Sequence, residues 1–191
     1  MIQRKFATNL GALEDTLHII DGFPILTCHL ARARRGSLFK GEAGCGRCAS
    51  KNEVYYGFNG HMVITGSGLI SSLMITPANI EEHQPVEELL KGMRGIVVGD
   101  KGFISKDLKT RLKKLNIELE TPLKKNMKDT RSPEFLVKIK SIRRLIETVI
   151  GQLDDRFHFN VVWARDFWHL SRLTRKTLAH TVGGDWTISE L

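Results

Sequence analysis

The chain has 191 residues, with 29 Lys and Arg against 21 Asp and Glu, giving a formal charge of +8 and a pI near 9.6. That length suits one full domain with its own core, or one domain and a short appendage, and the positive balance favours a polyanionic partner such as nucleic acid. No stretch approaches the roughly 18 consecutive apolar residues of a membrane span, and Met1-Ile2-Gln3-Arg4-Lys5-Phe6 lacks the apolar core of a signal peptide, so a membrane role is excluded and the cytoplasm is expected.

In chain order, residues 1–14 are polar and unpatterned and read as a poorly ordered lead-in or a truncation edge. Residues 16–26 read as a strand with Asp21 inside the apolar run Leu17-His18-Ile19-Ile20-Asp21-Gly22-Phe23. Residues 31–53, with Arg32, Arg34, Arg35, Lys40, Arg47 and Lys51 among four glycines, read as a loop lying near DNA. Cys45-Gly-Arg-Cys48, with Cys28-His29 upstream, has metal-knuckle spacing for zinc, but a single C-x-x-C is a weak signal and a reduced thiol pair in a loop is the simpler reading. The odd count of 3 Cys argues against a secreted disulfide framework.

Residues 55–65 and 69–76, joined by Gly66-Ser67-Gly68, read as an antiparallel hairpin carrying His61. A helix is expected over 81–93, capped by Asn79, with Glu81, Glu82, Glu87 and Glu88 on its surface. A strand over 95–99 closes at Asp100, and Ser105 caps a basic helix over 106–115. Residues 117–122 alternate like a short strand, and 123–128, with Lys124 and Lys125, form a basic loop. Trp163 and Trp168 read as core anchors of the last helix, and 179–191 as a divergent tail.

The pattern over 133–157 is a long helix. At about 100° per residue, Ile142, Leu145, Ile146, Val149, Ile150, Leu153 and Phe157 form one apolar stripe, and Arg143, Glu147 and Asp154 share a line beside it. Glu147 therefore stands at the margin of the buried face. An acid in or at the end of a buried strand costs several kcal/mol unless a cation or donor compensates it. Asp21, Asp100 and Glu147 together suit a divalent cation, because hard carboxylate oxygens hold the paired ions of in-line phosphoryl displacement. The order of elements predicts an α/β fold, a mixed sheet flanked by helices, with active groups where strand ends meet a helix.

These residues bring a resemblance into view. Ile20-Asp21-Gly22-Phe23-Pro24, Tyr56-Gly57-Phe58-Asn59-Gly60-His61, Thr76-Pro77-Ala78-Asn79, Gly99-Asp100-Lys101-Gly102-Phe103, Thr121-Pro122-Leu123-Lys124-Lys125-Asn126-Met127 and Arg143 through Phe157 occur in one order across most of residues 17–175. The chain resembles the catalytic domain of a bacterial DDE insertion-sequence transposase, most closely the insertion-sequence 982 group. The resemblance implies an RNase H-like fold over 16–178 and metal-binding catalytic acids at Asp21, Asp100 and Glu147. It implies Mg2+, with Mn2+ as a substitute and two ions, DNA as partner, a homo-oligomer in the synaptic complex, and a nucleoid-associated cytoplasmic location. Arg143, Lys101, Lys124 and Lys125 are the implied DNA contacts and His61 a site neighbour.

In the wider superfamily the last acid lies in a pattern of Tyr, two residues, Arg, three residues, Glu, six residues, Lys. Arg143 and Glu147 fit it, whereas Lys140 holds the Tyr position and Asp154 the Lys position. An anion where a phosphate-contacting cation belongs reverses an attraction to the DNA backbone. Only 20 residues precede Asp21, too few for a helix-turn-helix reader of element ends, so the chain is expected to be an N-terminally truncated catalytic domain. The alternatives carried forward are a metal-dependent nuclease of the same fold and an inactive remnant that binds DNA or a full-length transposase.

Overall fold

A computed structural model describes residues 2–28, 30–33, 35, 38–48, 53–124, 127–159, 162, 164 and 166–183. In chain order the elements are α1 (Ile2–Asn9), β1 (Leu17–Cys28), α2 (Leu30–Ala33), β2 (Gly44–Cys48), β3 (Glu53–Thr65), β4 (Ile70–Pro77), α3 (Val86–Leu89), β5 (Gly95–Val98), α4 (Lys106–Lys114), β6 (Ile117–Glu120), α5 (Pro133–Phe157), α6 (Phe167–Leu170) and α7 (Arg172–Val182). The 6-stranded sheet runs β2-β3-β1-β5-β6, and β4 also pairs with β3. β1 is antiparallel to β3, and β3 to β4, whereas β1–β5 and β5–β6 are parallel. This is the expected mixed α/β sheet flanked by helices.

β1 is the spine because its apolar run serves two cores, as a strand covered on both faces must. Ile19, Phe23 and Ile25 join Ile146, Val149 and Leu153 of α5 on one face. Ile20 joins Leu89, Leu108 and Leu112 on the other. Asp21 shares the parity of Ile19 and Phe23, so it belongs to the α5 face. The Thr16 carbonyl accepts from Ile96 N–H at 2.8 Å, so the even-numbered backbone groups of β1 point toward β5.

α5 follows its sequence pattern closely. Ser132 accepts from Phe135 N–H, Pro133 occupies the first turn, and His158 ends the helix in the left-handed conformation at φ 49°. Leu153 is fully buried against the sheet. Leu153→Ala is expected to cost about 2–5 kcal/mol, since the cavity adds to the lost transfer energy. A urea midpoint within error of the parent's would refute that placement.

Four expectations change. Residues 2–9 form α1, which docks through small contacts: Ala7 and Ala12 are buried, and Gln3 Nε2 donates to the Ile70 carbonyl at 2.8 Å and Thr181 Oγ1 at 3.0 Å. Ala7 and Ala12 pack with Leu69, and such small buried side chains leave no strong apolar stripe in this segment of the sequence. Within 31–53, α2 and β2 replace part of the loop. The glycines of β2 permit close approach: a Cβ at Gly46 would lie 2.8 Å from the Tyr55 ring, and at Gly44 2.8 Å from the Asn79 backbone nitrogen.

The helix expected over 81–93 is reduced to Val86–Leu89. Pro85 disfavours helical backbone at Gln84, so no helix starts until the proline itself, which serves as N-cap. Residues 78–85 are turns and bends instead. Finally, Trp168 is 71% exposed and not a core anchor; Arg175 lies 5.1 Å over its ring. Trp163, Lys125 and the tail beyond 183 lie outside the described residues.

Candidate active site

The parallel ladder between β1 and β5 matches Ile19 with Val98 as its last pair. Asp21 and Asp100 each stand two residues further on, past the end of that ladder: Asp21 within β1, which runs on to Cys28, and Asp100 just beyond the end of β5. Asp100 is the extended residue (φ −82°, ψ 177°) that opens a 3-10 turn over Lys101–Phe103, and its carbonyl accepts from Phe103 N–H at 3.1 Å. Gly99 N–H is held by the Glu120 carbonyl at 2.9 Å, fixing the strand end that presents Asp100.

α5 crosses this end of the sheet and brings Arg143 and Glu147 to it. Arg143 Nη1 is 3.3 Å from Asp100 Oδ1, and Nη2 is 3.9 Å from Glu147 Oε1. One guanidinium therefore ties the second acid to the third. Asp21 is the more buried carboxylate. Burial pushes it up to about 6, against the donation of Gly22 N–H to its Oδ1 at 2.9 Å and the nearby positive charge of Arg143, while Asp100 and Glu82 push it further up. Among the described residues no three His, Cys, Asp or Glu side chains already stand within ligation reach of one point.

A fourth acid, exposed Glu82, lies nearby. Glu82 lies in the turn between β4 and α3 rather than on a helix surface. Its carboxylate sits 3.6 Å from the position a Cβ would take at Gly22, and against the corresponding position at Gly102. Burial and Asp100 both raise its proton affinity. Two signals for it exist in the sequence: Gln84-Pro85, which breaks the helix pattern, and a glycine one residue after Asp21 and two after Asp100.

Known proteins complete the picture. A family model described as Transposase DDE domain matches residues 11–165. The chain belongs to the transposase DDE domain family. Comparison with curated proteins finds no match. Among solved structures, the DDE domain is similar to a piggyBac transposase synaptic complex with hairpin DNA, with TM-score 0.41 and 18% identity over 64% of this chain and 25% of that one. It is also similar to the catalytic domain of Mos1 mariner transposase, with TM-score 0.36 and 13% identity over 99% of this chain and 91% of that one. The matched segment thus spans a quarter of the piggyBac chain.

The remaining expected residues of this DDE domain divide. His61 stands opposite Gly22 in the β1–β3 ladder, next to Asp21 in the chain's layout. It is fully buried, its Nε2 is 2.9 Å from Thr76 Oγ1, and burial pushes it down to about 4, so it is a neutral interior group at pH 7. Lys101 and Lys124 are exposed. The basic loop is anchored at its far end by Arg131, whose Nη1 lies 2.5 Å from Glu120 Oε2 and whose Nη2 donates to the Thr121 carbonyl at 3.0 Å.

Asp154 lies close enough to Lys176 of α7 to raise that lysine's proton affinity against its burial, and Lys176 Nζ donates to the His158 carbonyl at 3.0 Å. A lysine from another helix thus stands near the position where the family pattern carries one. Cys45 and Cys48 lie on β2, paired opposite Tyr56 and Glu53, in extended backbone rather than the tight turn of a zinc knuckle. Cys28 is opposite Tyr56 on the other flank of β3, leaving a strand between it and Cys45, and both are free thiols.

Proposed function

We propose that this chain is the catalytic domain of an insertion-sequence transposase of the 982 type, cutting DNA strands at element ends and transferring them to target DNA. Asp21, Asp100 and Glu147 are its metal-binding acids. One observation supports the reading: within a DDE domain, Asp21 and Asp100 each stand two residues past the last pair of the parallel β1–β5 ladder, and Arg143 of α5 lies between Asp100 and Glu147. The donor set fits Mg2+ or Mn2+, since it offers only carboxylate oxygens and includes a desolvated acid at Asp21 that lacks full compensation. When bound, paired divalent ions supply an activated water or 3′-hydroxyl and stabilisation of the leaving oxygen.

The chain's own residues do the rest. Asp21 sits within β1 and Asp100 just past the end of β5, whereas Glu147 is exposed on α5. Arg143, partly buried between Asp100 and Glu147, screens the two acids and has further N–H donors for a phosphate oxygen. Lys101, Lys124 and Lys125 supply charge for the DNA backbone. The intact enzyme would act as a homo-oligomer on paired ends in the bacterial cytoplasm.

The test uses the purified chain with Mn2+, supercoiled plasmid and a fluorescent oligonucleotide bearing a 3′-hydroxyl. Plasmid that gains the fluorophore supports strand transfer. Nicking without joining would reassign the chain to a nuclease of the same fold. Salt-sensitive DNA binding with neither reaction, unchanged when Asp100 is replaced, would identify a binding remnant.

A further inference from the structure

We infer that the corner where α5, α6 and α7 meet binds single-stranded DNA, taking a backbone phosphate in a basic hollow and an unpaired base on the exposed ring of Trp168. The inference rests on the DNA-binding reading above and adds to it a contact region apart from the three acids.

The hollow has a volume of about 400 Å3, and His158, His169, Arg172 and Lys176 line it together with the apolar Phe157 and Leu173. Among the described residues no Asp or Glu lines it. Its basic groups are fixed by bonds within the chain. Lys176 Nζ donates to the carbonyl of His158, the left-handed residue that ends α5. His169 Nδ1 lies 2.7 Å from Asp166 Oδ1, so that acid is spent on the wall itself. Asp154 offsets part of the charge on Lys176 from the side of α5. Arg172 and Lys176 stand one turn apart on α7, a spacing at which like charges repel. A phosphate between them converts that repulsion into charge-assisted hydrogen bonds.

An independent feature adjoins the hollow. Trp168, the residue before His169, is 71% exposed. Phe167 sets its ring against Phe39 and Phe58 at 5.5 and 6.0 Å, and Asp166 accepts from His169 N–H at 2.8 Å, so α6 is pinned with its tryptophan outside. A large ring left in water forfeits burial energy, and such exposure marks a contact surface. Arg175, the neighbour of Lys176, lies 5.1 Å over that ring and brings a further cation to it. An aromatic face among cations suits a strand whose bases are free to stack, whereas the bases of a duplex are already stacked on one another.

α5 links this corner to the acids. Phe157 lies ten residues after Glu147 on the same helix, which at 1.5 Å per residue is about 15 Å. One DNA strand covers that span in roughly four to five nucleotides at 3.4 Å each. A strand running along α5 from the acids therefore meets the hollow and the ring with its flanking nucleotides.

The test is fluorescence anisotropy of a labelled oligonucleotide, single-stranded or duplex, titrated with the full chain in EDTA. The chains compared are the parent, Trp168→Ala, Trp168→Tyr, Arg172→Gln and, on α4, Lys113→Gln, each with its melting temperature. Trp168→Ala is expected to weaken single-strand binding about tenfold or more while leaving duplex binding near the parent's, and Trp168→Tyr to restore most of the loss. Arg172→Gln should weaken both and lower the salt slope by about one, with a smaller loss in Lys113→Gln. Parental single-strand affinity in a folded Trp168→Ala, while the parent binds DNA, would overturn this site alone and leave the ring to a protein partner. Equal losses in Arg172→Gln and Lys113→Gln would reduce the hollow to diffuse surface charge and overturn it as well. A folded parent that binds neither oligonucleotide would remove the DNA-binding reading itself.

Discussion

Replacing Asp100 with Asn is expected to lower Mn2+-dependent plasmid nicking by more than about a hundredfold while leaving the fold intact. Partners outside a metal's ligand set already cost about 10–100-fold when lost, and Asp100 is proposed as a ligand. The change is isosteric, and the backbone contacts that fix the position, Gly99 N–H to Glu120 and Phe103 N–H to Asp100, do not involve the side chain. Asn also cannot pair ionically with Arg143, so the guanidinium keeps only Glu147. Equal nicking by matched parent and variant preparations would mean that the activity is a contaminant's, and the proposed chemistry would lose its support.

The second large effect is on stability, and it concerns Asp21 in chelator-treated protein. Burial holds its carboxyl at about 6, above the 3.8 of an ordinary aspartate, so the native state binds the proton more tightly than the unfolded chain does. Stability from this group is therefore fully present below about pH 4, declines as pH rises through about 6, and stays low above that. A shift of that size corresponds to roughly 1–3 kcal/mol once the coupling to Asp100, Glu82 and Arg143 is allowed for. Asp21→Asn should recover that amount at pH 7.5, since the amide oxygen can still accept from Gly22 N–H, and should flatten the decline between pH 4 and 6. Urea titrations in EDTA decide it: a parent whose stability is flat over that range, matched by an equally stable variant, refutes the buried charge.

Much of the architecture was legible where local chemistry and tertiary packing agree. Ser105 and Ser132 cap helices that begin as read, and the stripe from Ile142 to Phe157 meets the sheet along its length. The apolar run that holds Asp21 and the one that closes at Asp100 are the paired strands β1 and β5, and the spacing of Arg143 and Glu147 puts both on one line of α5. What escaped was set by close approach rather than by apolar periodicity. Gly44 and Gly46 belong to a strand because neighbours press on them, α1 docks through alanines and a glutamine, and Trp168 is covered by a cation instead of the core. The turn that holds Glu82 was hidden by an apparent helix that Pro85 postpones.

The uneven lengths of β1 and β5 have a consequence for self-association. β1 continues to Cys28, but its ladder with β5 ends at Ile19, so the later part of the strand has a flank without that partner. Such an edge is a template on which a strand from another molecule can add, and folded proteins blunt it. On this flank the even-numbered groups point outward, and two successive donors are withheld: Gly22 N–H is spent on Asp21 Oδ1 and Pro24 has none. With both donors withheld, this stretch of β1 is a poor template for a further strand.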